Sequence, residues 1–249
     1  MLWNISLKLA SQRFYISDFV RRSWERTSIP SKNSKVVFPI CKLPNVMPLP
    51  PEQRTGFVFV ARWIENKGLD TLLKAYSLAG LDSPGYPLRL LGDGPLRLSI
   101  NSLISSLGLK NVYAPGFLPD EEKVHQIRKS RFAVIPPNTS EDFGLVAIEA
   151  RNLGLPCLIT NDGGLPEAAG PYCLACQPGN VEDLARILLE AVKMSDAEYI
   201  ELADKAHNTL YPSLVQPEFY AKTYLSMLGK SNLPALSKGT KNTSGSIRS

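Results

Sequence analysis

From residue 57 onward, short apolar runs alternate with amphipathic stretches of helical length. The apolar runs predict strands at 57–61, 87–91, 111–117, 132–135 and 156–160, with a short element near 172–174. In the stretches between them, apolar residues recur at helical spacing, as they do from Leu69 to Ala79. Strands separated by helices are typical of βαβ units and of a parallel sheet covered on both faces. We therefore predict an α/β fold built on a doubly wound parallel sheet.

The two ends of the chain differ from this core in charge. Residues 1–60 contain nine Lys or Arg against three Asp or Glu, and the last twenty residues contain four Lys or Arg and no acid. The excess of Lys and Arg at the two ends is explained by exposure to solvent alone. The alternative is electrostatic binding to anionic lipid or nucleic acid. Four Cys and a start without a secretory leader predict a cytoplasmic location, with any membrane contact peripheral and at the inner face. We expect no nucleic-acid partner.

Two cations follow the first predicted strand. Arg62 and Lys67 lie five residues apart in a strand-to-helix loop, where a doubly wound sheet binds its ligands. Two cations there could neutralise a diphosphate whose charge grows as it departs, and such stabilisation is commonly the largest catalytic effect. The two residues alone fit a surface Arg and Lys beside a turn about equally well.

The segment from residue 140 to residue 150 carries two carboxylates around a glycine. Glu141 lies in a loop after a predicted strand, and Glu149 lies on the helix that we expect at 144–153. Gly144 at the helix start would let a ligand approach the backbone, whose free amides form an anion site. Glu149 lies roughly 7.5 Å further along the axis, where it could bind ribose hydroxyls. Taken alone, the two carboxylates are better explained as solvated residues.

Two further loops are rich in glycine. The stretch at 92–95 and the pair at 163–164 both follow predicted strands, at the edge where ligands are expected. The first stretch lacks the G-x-G-x-x-G spacing of a dinucleotide fingerprint, so a dehydrogenase is set aside. Cys173 and Cys176 form a C-x-x-C pair, but no second pair supplies the four ligands of a zinc site. We interpret these cysteines as structural or incidental.

Residues 56 to about 229 resemble the donor-binding half of the family-4 (group 1) glycosyltransferases, which are retaining, use nucleotide sugars and have the GT-B fold. The matching stretches follow one another in the family's order: Val60-Ala61-Arg62, Lys67-Gly68-Leu69-Asp70, Leu91-Gly92-Asp93-Gly94-Pro95, Gly116-Phe117-Leu118, Glu141-Asp142-Phe143-Gly144-Leu145, Glu149-Ala150, Gly154-Leu155-Pro156 and Gly163-Gly164-Leu165-Pro166-Glu167. Their order, spacing and strand context make the series specific. The resemblance implies a Rossmann-like half of a GT-B enzyme.

The resemblance also implies roles for individual residues. Arg62 and Lys67 would hold the diphosphate, together with the backbone around Gly144. Glu141 would meet hydroxyls of the donor sugar, and Glu149 would meet the ribose. The implied catalytic residues are Arg62, Lys67 and Glu141, and the implied substrate-binding residues are Arg62, Lys67, Gly92, Glu141, Phe143, Gly144, Leu145 and Glu149.

This half of a GT-B enzyme characteristically needs no metal, because Arg, Lys and a helix terminus neutralise the diphosphate. The sequence has no D-x-D triplet, which agrees with that expectation. We therefore expect no metal and no cofactor, with a nucleotide sugar such as a UDP- or GDP-hexose as substrate. The acceptor would be a saccharide or a lipid-linked sugar.

The front of the chain resembles a different part of the family. Residues 14–22 are similar to the last strand and helix of the acceptor-binding domain, and we expect nearly all of that domain to be missing. The expected organisation is a remnant and linker at 1–50, a donor-binding domain at 51–212, a closing helix at 213–230 and a disordered tail at 231–249. The rest of the acceptor-binding half would come from another chain or would have been lost by truncation.

Two other functions stay open at this point. A chain that lacks the acceptor side could bind a nucleotide sugar and transfer nothing, because assembly of the transition state needs groups on both sides of the cleft. A weaker alternative is a structural remnant with an exposed interdomain face. The leading hypothesis is transfer of a hexosyl group with retention of the anomeric configuration.

Overall fold

The computed structural model describes residues 9–27 and 32–228. Its front segment contains two short strands and one helix: β1 (Arg13–Tyr15), α1 (Asp18–Glu25) and β2 (Ser34–Val36). β1 and β2 pair in parallel and form a two-stranded sheet of their own. The helix expected before Ala10 and the tail expected at 231–249 lie outside the described residues, apart from the last residues of the former.

The main sheet has six strands. They are β3 (Phe57–Val60), β4 (Leu88–Leu91), β5 (Val112–Gly116), β6 (Phe132–Ile135), β7 (Cys157–Thr160) and β8 (Cys173–Cys176). Their order across the sheet is β5-β4-β3-β6-β7-β8, and every neighbouring pair is parallel. The chain thus starts at β3 near the centre, builds outward to β5, and returns to β6 on the other side of β3. This order confirms the doubly wound parallel sheet.

Helices cover both faces of this sheet. In chain order they are α2 (Leu69–Leu78), α3 (Arg97–Ser106), α4 (Asp120–Arg128), α5 (Leu145–Asn152), α6 (Leu165–Ala169), α7 (Val181–Lys193) and α8 (Asp196–Asn208). Alternate strand residues point to opposite faces, so the apolar runs supply two cores. Phe57 and Phe59 belong to the core under α2, α3 and α7, whereas Val58 belongs to the core under α4, α5 and α6.

The linker segment, residues 39–50, contains no helix or strand, and hydrogen bonds fix it to the main body. Asn152 donates a hydrogen bond from Nδ2 to the carbonyl of Pro44 at 3.0 Å. The buried guanidinium of Arg54 donates from Nε to the carbonyl of Leu49 at 2.8 Å. Polar contacts to its backbone therefore hold the linker along the sheet's second core.

A last helix, α9 (Pro217–Met227), lies in a separate compact unit that begins at Val215. It lies within the range 213–230 that we expect for the closing helix, of which the structure describes residues up to 228. Across the described ranges, no helix combines the length and the apolar character that crossing a bilayer requires.

Candidate functional site

The carboxyl edge of the main sheet holds a recess of about 400 Å³ beside β3. β3 lies between β4 and β6, and the chain leaves these strands toward opposite faces, which makes this edge the topological switch point. Three of the predicted residues, Arg62, Gly92 and Glu149, line the recess. The fold therefore brings together residues from three separate loops and helices at the place where such sheets bind ligands.

Arg62 lies two residues after the end of β3, and its side chain is exposed at the recess. Among the residues that the structure describes, none forms an ion pair or a side-chain hydrogen bond with it. Gly92, at the end of β4, packs against the strand from which Arg62 emerges. A Cβ on Gly92, whose φ is 129°, would lie 1.9 Å from the carbonyl oxygen of Ala61. Glycine is needed there so that the two loops can approach.

Lys67 and Glu141 form an ion pair through Nζ and Oε1. Their side chains are 27% and 21% exposed, so the pair is only partly shielded from water. The pairing depends on Gly68, which caps α2 with a φ of 68°, and on Asn138, whose amide nitrogen donates to the carbonyl of Asn66 at 2.9 Å. These contacts hold the loop after β3 against the loop after β6.

Glu141 is fixed by the loop that follows β7. The amide of Gly164 donates to the carbonyl of Glu141 at 2.7 Å. A Cβ on Gly163 would lie 2.3 Å from that same carbonyl oxygen. Ser140 donates from Oγ to the carboxylate of Asp162 at 2.7 Å. The glycine pair that the sequence marked as a tight loop thus holds the backbone of Glu141.

Gly144 precedes α5 and serves as its N-cap, with a φ of 113° and no side chain capping the helix. The position that a Cβ would occupy lies 2.5 Å from Cδ1 of Leu165. Glycine is therefore required here by backbone conformation and by the packing of Leu165, which the sequence did not indicate. Leu145, the first residue of α5, is half exposed.

Phe143 is the predicted residue whose side chain is least accessible. It is 3% exposed, belongs to the second core, and packs edge-on against Phe38 with ring centroids 4.7 Å apart. A ligand could therefore meet only its backbone. The ring instead joins the segment before the linker to the loop that carries Glu141.

Lys123 is a site residue that the sequence did not single out. On α4, its Nζ lies 3.2 Å from Oδ1 of Asp120 and 4.0 Å from Oε2 of Glu149. It lines the same recess as Arg62 and Glu149. Lys123 lies in the first turn of the helix that follows β5, and the first turns of such helices lie at the carboxyl edge of the sheet. Its place in the sequence, a few residues after a predicted strand, was therefore a usable signal.

The front segment also reaches the site. Ser17, the N-cap of α1, donates from Oγ to the carbonyl of Asp142 at 2.6 Å. The carboxylate of Glu167 accepts the amides of Asp18 and Phe19 at 2.7 and 3.0 Å. A carboxylate at a helix N-terminus is stabilised by the free amides and by the helix dipole. These contacts join α1 to the two loops that surround Glu141.

Cys157, Cys173 and Cys176 do not line the recess. Burial is the main cause that raises the pKa of Cys157 and of Cys176 to about 12, so both are neutral thiols. Cys173 is a free thiol too. Within residues 9–27 and 32–228, no group of three or more His, Cys, Asp or Glu side chains could hold a metal ion.

Comparisons with known proteins identify related sequences. The chain is 35% identical to the D-inositol 3-phosphate glycosyltransferase of Rhodococcus erythropolis over 159 residues, which are 59% of this chain and 35% of that protein. It is 31% identical to an uncharacterized glycosyltransferase of Methanocaldococcus jannaschii over 137 residues, which are 54% of this chain and 37% of that protein. The chain thus spans little more than a third of the length of either relative.

Solved structures share the fold. HepE of Anabaena, crystallised with UDP, superimposes with a TM-score of 0.78 at 17% identity, over 91% of this chain and 66% of that one. Sucrose-phosphate synthase from Thermosynechococcus elongatus gives a TM-score of 0.77 at 21% identity, over 92% of this chain and 61% of that one. At these identities the likeness shows the fold alone, a Rossmann-like domain of the GT-B type.

The family model for glycosyl transferases group 1 matches residues 47–208, which is well over half of the chain. The match spans the whole main sheet, the loops that carry Arg62 and Glu141, and the helix α5 that carries Glu149. The chain therefore belongs to the group 1 glycosyltransferases.

Proposed function

We propose that the chain binds a nucleotide diphosphate sugar and serves the transfer of its hexosyl group, with retention, to a saccharide or lipid-linked acceptor. The observation that carries this proposal is the recess at the switch point, where Arg62, Gly92 and Glu149 line one cavity of about 400 Å³. The related Anabaena protein was crystallised with UDP, which supports a nucleotide as the ligand.

Arg62 is assigned to the diphosphate because it is an exposed cation in the recess without a carboxylate partner among the described residues. Lys67 is assigned to the same group, with its ion pair to Glu141 as the resting state. The backbone amides of Leu145 and of the next residue complete the diphosphate site at the start of α5, where free amides favour an anion. No metal is needed in this proposal.

Glu149 is assigned to the ribose hydroxyls, since its carboxylate lines the recess one turn into α5. Glu141 is assigned to hydroxyls of the donor sugar, and Phe143 to backbone contact alone. In the reaction, the bond between the anomeric carbon and the diphosphate oxygen breaks, a bond to the acceptor oxygen forms, and the proton of the acceptor hydroxyl passes to the leaving diphosphate. The nucleotide leaves with added negative charge, which Arg62 and Lys67 stabilise.

Thermal unfolding in the presence of UDP, GDP and ADP tests nucleotide binding. A ligand that binds only the folded state raises the melting temperature, so we expect one of the three to do so. Arg62→Ala and Lys67→Ala should each reduce the rise, because each removes one of the two charges assigned to the diphosphate. Arg22→Ala, a change at a 68% exposed arginine on α1, is the matched control and should preserve it. A chain whose melting temperature is unaffected by all three nucleotides contradicts the proposal.

The second candidate function is a binding module that transfers nothing by itself. The described residues supply the donor side of such a site, and the matched region spans 37% of the archaeal relative and 35% of the Rhodococcus relative. In this alternative a separate chain supplies the acceptor side. Release of nucleotide from a donor sugar in the presence of an acceptor extract favours the enzyme, and binding without release favours the module.

The proposed organisation is a remnant of the acceptor-binding domain with its linker at 1–50, a donor-binding domain at 51–212, a closing helix at 213–230 and a tail at 231–249. The proposed location is cytoplasmic, with peripheral contact between the basic front end and the inner face of the membrane. Co-sedimentation with anionic vesicles at low and high salt tests this contact. Failure to co-sediment at low salt excludes it.

A further inference from the structure

A second recess, of about 270 Å³, lies at the amino-terminal edge of the main sheet. Phe57, the first residue of β3, lines it, whereas Val60, the last residue of β3, lines the recess described above. The two cavities therefore lie at opposite ends of one strand. The walls of the second recess also include Arg54, Tyr86 and Arg131.

Two guanidinium groups beside this recess have only neutral partners among the described residues. Arg54, which is 6% exposed, donates to the carbonyls of Leu49 and Gly154 and, at 3.3 Å, to the hydroxyl of Tyr199. Arg89 donates from Nη1 to the carbonyl of Thr55, a residue of the recess wall, at 2.7 Å. Burial lowers the pKa of Arg89, which is the effect of a cation in an environment that poorly stabilises charge.

Arg131, like Arg54, lies on the wall of the recess and supplies a third guanidinium group. Its central carbon is 4.1 Å from the centre of the Tyr199 ring. It donates from Nη2 to Oδ1 of Asp196 at 3.0 Å, but the side chain of Asp196 is 85% exposed. Two cations thus lie on the wall of the recess and a third, Arg89, lies beside it. Among the described residues that line it, Asp196 is the one carboxylate, and it is mostly in water.

The ligand that fits this arrangement of guanidinium groups is a small anion. Partly buried cations without a counter-charge are unfavourable, and a bound anion would remove that cost. The planar fork of a guanidinium matches the oxygens of a phosphoryl group. A volume of about 270 Å³ is below the roughly 300–1,000 Å³ of sites for drug-sized molecules, which favours a small ligand.

We propose that this recess, with Arg54 and Arg131 on its wall and Arg89 beside it, binds the phosphoryl group of a small molecule, which is inorganic phosphate, diphosphate or a sugar phosphate. The site is separate from the nucleotide recess, and the inference does not rest on the proposed function. Arg131 is the contact with the ligand. Asp196 competes with the ligand for Arg131, and Arg54 and Arg89 supply the surrounding positive charge.

Calorimetric titration tests this site in a background that removes the other one. Inorganic phosphate, diphosphate and glucose 6-phosphate are titrated separately into the Arg62→Ala/Lys67→Ala chain at constant ionic strength. Adding Arg131→Gln should weaken binding by at least about tenfold, because a charge-assisted contact is lost. Adding Asp196→Asn should tighten binding several-fold. Arg186→Gln, at an arginine 56% exposed on α7, is the control and should leave affinity unchanged.

The three ligands distinguish the sources of the phosphoryl group, since the tightest binder identifies the natural chemistry. Arg131→Gln also removes the contact with Tyr199, so its melting temperature in chloride is measured to establish that it folds. Asp196→Asn keeps that contact and tests the site independently. The proposal is overturned if none of the three anions binds at millimolar concentration. Equal affinity in the Arg131→Gln and Asp196→Asn variants overturns it as well.

Discussion

Removing the carboxylate of Glu141 should strengthen the binding of a nucleoside diphosphate. In the resting structure Glu141 forms an ion pair with Lys67, and the two side chains are 21% and 27% exposed. The carboxylate therefore competes with the diphosphate for Lys67 and repels it as well. Glu141→Gln removes both effects and retains the size of the side chain.

The size of this gain follows from the charges. Two unit charges about 6 Å apart, at an effective dielectric constant of about 20, interact by roughly 3 kcal/mol. Partial exposure and salt screen such a pair, so about half of this value is a reasonable expectation. A gain of ~1.4 kcal/mol corresponds to about tenfold tighter binding of the nucleoside diphosphate. Lys67→Met should weaken binding by a similar factor.

Calorimetric titration with the best nucleotide among UDP, GDP and ADP measures the effect at low and high salt. The gain in Glu141→Gln should shrink as salt increases. Glu182→Gln removes the same charge from an exposed position on α7 and is the control. Glu141→Gln should increase the affinity for the corresponding nucleotide sugar less than it increases the affinity for the free nucleotide. The reason is that the substitution also removes a partner of the sugar hydroxyls. Weaker binding of the free nucleotide by Glu141→Gln would refute the electrostatic reasoning.

Three further predictions concern stability and reactivity. Gly68→Ala should cost about 3–5 kcal/mol in denaturant unfolding and weaken nucleotide binding, because its Cβ would lie 1.8 Å from a carbonyl oxygen of the neighbouring loop. Gly80→Ala, at a similar positive φ with nothing within 4 Å, should cost only about 1–2 kcal/mol, and equal costs would contradict this account. Cys157, with a pKa of about 12, should resist iodoacetamide in the folded chain at about pH 8 and react in urea. Mass spectrometry measures the labelling, and labelling of Cys157 in the folded chain would contradict its burial. Hydrogen bonds from the hydroxyl and the amide of Ser195 lower the pKa of Glu198. The folded chain should therefore be more stable than the Glu198→Gln variant at neutral pH, and this difference should decrease as the pH falls through the range in which carboxyl groups titrate. A difference in unfolding free energy that does not change with pH would exclude this linkage.

The main sheet could be predicted well because its strands are short, apolar and buried on both faces. The strand expected at 132–135 is β6 without change, and the one expected at 156–160 is β7 with one residue fewer. Local signals of this kind depend on neighbours in the sequence. The pairing of β1 with β2 was not predicted, because these strands are three residues each and their register depends on contacts across a long separation.

The site was predicted less completely, for a physical reason. The placement of Arg62, Gly92 and Glu149 around one recess follows from parallel strands ending at one edge, which the sequence pattern implies. The contact between Ser17 and Asp142, 125 residues apart, depends on tertiary packing and leaves no local signal. The reason for Gly144, which makes room for Leu165, is likewise visible only in three dimensions.

The attachment of the front segment has a practical consequence for anyone who expresses a shortened protein. A version that starts at the linker would leave the carboxylate of Glu167 without the two amides that it now accepts. It would also uncover the ring of Phe143, which Phe38 now shields. Such a shortened chain would expose apolar surface beside the loop that carries Glu141. Chain boundaries chosen for crystallisation or screening should therefore retain residues 13–38.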